Sequence, residues 1–154
     1  MNLLNKKSLL ALAAGLACLA ISQPRLAHAQ SGDHLVMIAN KSNAAATGMS
    51  IGDARKLLLG ETGSWRNGAA VVVVLGPPGS TERVEVLKKV CGMGEAAYTR
   101  FGMQAAFTGG NAATVQAAAS DAAIKASVKT NPGAVGFIHK AQADATVQTV
   151  LELQ

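Results

Sequence analysis

Two kinds of apolar pattern alternate along this chain: short unbroken runs, and residues recurring every three or four positions. Past the N-terminal segment, the run Leu35–Ala39 stops at Asn40-Lys41-Ser42-Asn43, which predicts a short buried strand and a turn. Ile51, Ala54, Leu57 and Leu58 then recur at helical spacing. Ser50, three residues ahead of Asp53, predicts an N-cap with its reciprocal partner, and Gly60 ends the helix. Gly63, Ser64, Asn67 and Gly68 make a loop carrying the only tryptophan, Trp65, whose expected task is to plug one end of the core. Residues 70–75 include four consecutive valines, a run too continuous for a strand with one wet face. A central strand of a parallel or mixed sheet is expected there.

Gly76-Pro77-Pro78-Gly79 breaks that run, and an amphipathic helix is predicted over 81–91. Its buried stripe would be Val84, Leu87 and Val90/Cys91, with Arg83, Glu85, Lys88 and Lys89 on the exposed faces. A third helix is predicted after Gly94, carrying Ala97, Tyr98 and Phe101 up to the Gly109-Gly110-Asn111 loop, while 112–119 fits helix or an extended crossover. Ser120-Asp121 ahead of Ile124 and Val128 predicts a fourth helix, Asn131-Pro132-Gly133 a turn, and 134–139 a buried strand. Val147, Thr149, Leu151 and Leu153 alternate imperfectly, as in an edge strand. Strands alternating with helices give an α/β sandwich around a mixed or mostly parallel sheet of about four or five strands.

The N-terminal segment changes what the composition means. Lys6 and Lys7 precede an apolar run from Leu9 to Ile21, and Ala27-His28-Ala29 has the small-x-small form of a signal-peptidase site. Residues 1–29 therefore read as a cleaved signal peptide and 30–154 as a single exported domain, periplasmic in location. The run is too short for a bilayer span, which needs about 20 apolar residues, and Gly15-Leu16-Ala17 before Cys18 fits lipoprotein processing poorly. Removing the leader lowers the formal charge from +5 to +2, since Lys6, Lys7 and Arg25 leave with no acidic residue. A nearly neutral surface with one Trp, one Tyr and three Phe offers neither the basic stripe nor the stacking platform of a nucleic-acid binder. Cys91 alone remains, so no intramolecular disulfide forms, and its place on an apolar stripe predicts a buried structural thiol.

Candidate chemistry concentrates at Gly79-Ser80-Thr81. A helix starting there aims unpaired N–H groups and the positive end of its dipole into the crevice outside the sheet, where anions bind. Two hydroxyls and Arg83 could add hydrogen bonds; ordinary capping by Ser80 accounts for the same pattern. A nucleotide P-loop is excluded because the turn lacks both the long loop and the lysine. His34 and His139 have no second ligand at metal spacing. Ser80, Asp121 and His139 could be assembled as a hydrolase triad, but there is no Gly-x-Ser-x-Gly elbow, and no enzyme is expected. Met49, Met93 and Met103 read as core filling.

In the order and spacing of Asn40-Lys41-Ser42-Asn43, Leu58-Leu59-Gly60, Ser64-Trp65-Arg66-Asn67-Gly68, Gly79-Ser80 with Arg83, Phe107-Thr108-Gly109 and 131–137, the chain resembles the periplasmic phosphate-binding proteins of ABC uptake systems and their small relatives in the type II solute-binding superfamily. The resemblance implies a single three-layer α/β lobe and phosphate or a related oxyanion held by Gly79, Ser80, Thr81 and Arg83. No cofactor and no metal are implied. A second copy, a membrane transporter or another envelope protein would be the partner. Two departures stand out. The family's Gly-Ser-Gly-Thr-Arg is here Gly79-Ser80-Thr81-Glu82-Arg83, and like charges about 4 Å apart at an effective dielectric of about 20 repel by about 4 kcal/mol. The domain is also the size of one lobe where the family's transport receptors use two. The alternative function is a non-ligand envelope adaptor that keeps the fold with an eroded anion site.

Overall fold

The computed structural model describes residues 34–108 and 114–154. The expected signal peptide and the Gly109-Gly110-Asn111 loop lie outside the described residues. In chain order the elements are β1 (Leu35–Ala39), α1 (Ile51–Leu58), β2 (Val72–Leu75), α2 (Thr81–Val86), α3 (Glu95–Phe107), β3 (Val115–Ala117), α4 (Asp121–Thr130), β4 (Ala134–His139) and β5 (Gln148–Glu152). The five strands form one sheet in the order β3-β2-β4-β1-β5. β2 runs parallel to both β3 and β4, whereas β1 is antiparallel to both β4 and β5. The valine run therefore lies inside the sheet with parallel neighbours on each side, and 115–117, ambiguous in sequence, is its exposed edge strand.

Alternation along the strands divides the core between two faces. Leu35, Met37, Val73, Leu75, Val135 and Phe137 pack with α1, α2 and α3, while Val36, Ile38, Val74 and Ile138 pack with Ile124 and Val128 of α4. This is the expected three-layer lobe. Gly136 lets α4 approach: a Cβ there would sit 2.4 Å from the Ile124 side chain. α1 begins as predicted, with Ser50 and Asp53 completing a capping box. Asn40, at the end of β1, donates both amide hydrogens to the carbonyls of Val128 and Lys129, satisfying two of α4's orphan acceptors.

The last strand lies at the sheet edge as expected, and three other expectations are corrected by the packing. The imperfect alternation of the last strand comes from a bulge: Met37 faces Leu151 and Ile38 faces Thr149, so Val150 is an extra residue and turns inward. The predicted helix over 81–91 changes at Leu87 into a π-helix that ends at Gly92, with φ +69°. Its buried face is Arg83, Val86, Leu87, Val90 and Cys91, and Val84 points to solvent. Met103 is about half exposed, while Met49 and Met93 pack against the core as expected. Cys91 is the buried thiol anticipated, with burial pushing its pKa up to about 11.

Candidate functional site

β2 ends at Leu75 on the carboxyl side of the parallel strands, and the chain turns through Gly76-Pro77-Pro78-Gly79 into α2. The turn is tight. Gly79 takes φ +81°, and a Cβ on Gly76 would lie 2.6 Å from Ser80 Oγ, so both positions favour glycine. Ser80 is the N-cap and its Oγ accepts from the Arg83 N–H at 3.3 Å. That leaves the N–H groups of Thr81 and Glu82 as first-turn donors the helix cannot satisfy.

Arg83 departs from expectation. Its spacing predicts an exposed face, free to fold over the first turn, whereas the side chain is buried. Its Nε donates to both carboxylate oxygens of Glu95 at 3.0 Å, its Nη2 lies 2.9 Å from Glu95 Oε1, and its Nη1 donates to the Gly76 carbonyl at 3.4 Å. The guanidinium thus ties α3 to the turn from beneath, and its charge is matched by Glu95. A buried cation needs such a partner, and Glu95 at the start of α3 supplies it. Nothing in the spacing of twelve residues advertised this pair in the sequence.

Beside the turn, Gly76, Pro77, Glu82, Ser120, Asp121 and His139 line a crevice of about 290 Å³ between the starts of α2 and α4. Ser120 caps α4 by accepting from the Ala123 N–H. Asp121 Oδ2 accepts from the His139 backbone N–H at 3.0 Å and lies 2.7 Å from its Nδ1. Two members of the hypothetical triad are therefore adjacent, but Ser80 does not line the crevice and its Oγ is spent on the cap. The acidic groups facing the crevice are Glu82 and Asp121. Among the described residues no group of three or more His, Cys, Asp or Glu is arranged to hold a metal ion.

No family model and no curated protein matches the chain. Solved structures do. A phosphate ABC transporter substrate-binding protein with bound phosphate from Clostridium perfringens superposes with a TM-score of 0.61 at 21% identity, over 77% of this chain and 44% of that one. An ABC-type phosphate transport receptor from Vibrio cholerae gives 0.59 at 19%, over 77% of this chain and 45% of that one. The chain shares their fold. It spans less than half the length of either. Among the described residues no helix is long and apolar enough to cross a membrane.

Sequence reasoning missed a second feature. A cavity of about 420 Å³ lies away from the crevice, between α1 and the Trp65 loop, and is lined by Lys56, Arg66, Thr47, Ser64, Trp65 and Asp53 among others. Trp65 is buried as anticipated, its Nε1 donating to the Gly133 carbonyl at 2.9 Å, so the loop is anchored at the amino end of β4. The signal available was Arg66 immediately beside the tryptophan, in a loop read only as a plug.

Proposed function

We propose that this chain is an exported solute-binding lobe that takes phosphate or a related oxyanion at Gly79-Ser80-Thr81. The observation that carries this reading is the tight turn at the carboxyl end of β2, where the Thr81 and Glu82 N–H groups have no acceptor within the helix, in a fold shared with phosphate-binding proteins. Ser80 and Thr81 supply hydroxyls. Arg83 contributes by bracing the turn through the Gly76 carbonyl, since Glu95 already neutralises its charge. Glu82 keeps the affinity of the lone lobe weak, because its carboxylate competes for the same helix terminus. A second copy or a larger envelope partner would complete the ligand shell.

Calorimetry at low ionic strength tests this on the secreted protein, whose intact mass should correspond to a chain starting at Gln30. Phosphate should titrate weakly with wild type and about tenfold more tightly with Glu82→Thr, the equivalent of about 1.4 kcal/mol of relieved repulsion. If phosphate titrates neither form, the anion reading falls and the envelope adaptor takes its place.

A further inference from the structure

In the cavity beside Trp65, two cations without ion-pair partners line one concave surface. The ion pairs among the described residues involve Arg83, Lys89, Lys125, Lys140, His34 and His139. Lys56 and Arg66 are in none of them, and both line this cavity.

Each cation stands on a fixed support. Lys56 is on α1, whose start is locked by Ser50 and Asp53: the Ser50 N–H and Oγ donate to Asp53 Oδ2 at 3.1 and 2.7 Å. Arg66 is at the first corner of a turn closed by the Gly68 N–H on the Trp65 carbonyl at 2.9 Å. That turn sits within a hairpin held by Trp65 N–H to Ala69 O at 2.8 Å and Val71 N–H to Gly63 O at 3.0 Å. Gly68, at φ +82°, supplies the left-handed residue the hairpin needs. Rigid supports lower the ordering cost of binding.

The lining sets the ligand's chemistry. Lys56 and Arg66 bring two positive charges and Asp53 one negative, so the cavity carries a net single positive charge. Asp53 spends its carboxylate on the Ser50 cap, whose hydrogen bonds hold it ionised. Met49, Leu57 and Trp65 give an apolar wall, and the volume falls in the range of small-molecule sites. A bare inorganic oxyanion would leave that wall unused. We infer that the cleft between α1 and the Trp65 loop is a second binding site, for a small organic monoanion that sets a carboxylate between Lys56 and Arg66 and an apolar body against Trp65.

The probe is benzoate, followed through the indole N–H resonance of Trp65, the chain's one tryptophan, in the full-length protein. Benzyl alcohol and inorganic phosphate separate the contributions of charge and apolar body. Benzoate should shift the indole resonance saturably, benzyl alcohol and phosphate at least tenfold more weakly. Lys56→Gln/Arg66→Gln, at two exposed positions, should weaken benzoate about tenfold or more while leaving the rest of the spectrum in place. Glu82→Thr, at the other end of the sheet, should leave the benzoate titration unchanged, so this site and the phosphate site fail or succeed separately. An indole resonance that does not respond to benzoate, or responds equally in the double variant, overturns the inference. So does a titration altered by Glu82→Thr, which would place the anion at the α2 turn.

Discussion

The two ends of the parallel strands differ in how their charges are spent. At the carboxyl end, Arg83 is tied to Glu95, His139 sits on Asp121, and Glu152 receives both Lys140 and His34. Of the carboxylates lining the crevice there, Asp121 is paired with His139 and Glu82 is in no ion pair. On the amino side, Lys56 and Arg66 face a larger cavity with neither committed to an ion pair. A shared fold fixes where a crevice forms; the side chains that line it decide what it attracts, and the two need not coincide. Here the crevice at the carboxyl end is lined by carboxylates, and unpaired positive charge sits at the amino side.

The most severe way to break this comparison is to remove the sheet that separates the two ends. Val73 is fully buried on the interior strand β2, so Val73→Asp should destabilise by more than about 4 kcal/mol, because the carboxylate gains no partner there. Both the crevice and the cavity should be lost together. A urea melt close to that of wild type would show that β2 is not the buried strand described.

A smaller change separates committed from uncommitted charge. Arg83→Ala leaves Glu95 partly buried without its cation and should cost about 3 kcal/mol. Lys56→Ala and Arg66→Ala, exposed and outside any ion pair, should each stay within about 0.5 kcal/mol of wild type. Equal costs for the three variants, measured by the same urea melts, would mean that the amino side uses its cations for stability after all.

The mildest test uses pH. Asp53 on the amino side is held below its ordinary value of 3.8, first by the Ser50 side-chain hydrogen bond; Glu152 on the carboxyl side is held below 4.5, first by Lys140 and then by His34. Both groups bind protons less readily folded than unfolded. Their contribution is present above these ordinary values and is lost as pH falls through the lower folded ones. Carboxylate titration by NMR should show Ser50→Ala returning Asp53 toward 3.8 while leaving Glu152 depressed, and Lys140→Met doing the reverse. If either substitution moves both groups, the two ends are electrostatically coupled and the comparison loses its force.

The helix starts at Ser50, Ser80 and Ser120 and the strands over 35–39 and 134–139 were legible because they are written in local terms: a cap hydroxyl before an apolar period, or an unbroken apolar run between turn residues. The valine run similarly announced a strand covered on both faces. Local patterns do not encode partners distant along the chain. Arg83 reads in sequence as a surface cation of a helix over 81–91, and only the approach of α3 brings Glu95 to it and makes burial tolerable. Val150 turns inward because β1 and β5 slip register between Met37 and Ile38, which period-two alternation cannot reveal. Nor can the spacing of ten residues between Lys56 and Arg66 show that α1 and the Trp65 hairpin wall one cavity, because that depends on Trp65 anchoring its loop to Gly133, 68 residues away. Short-range sterics and capping set the elements, and long-range packing decided which charges were paired and which were left unpaired.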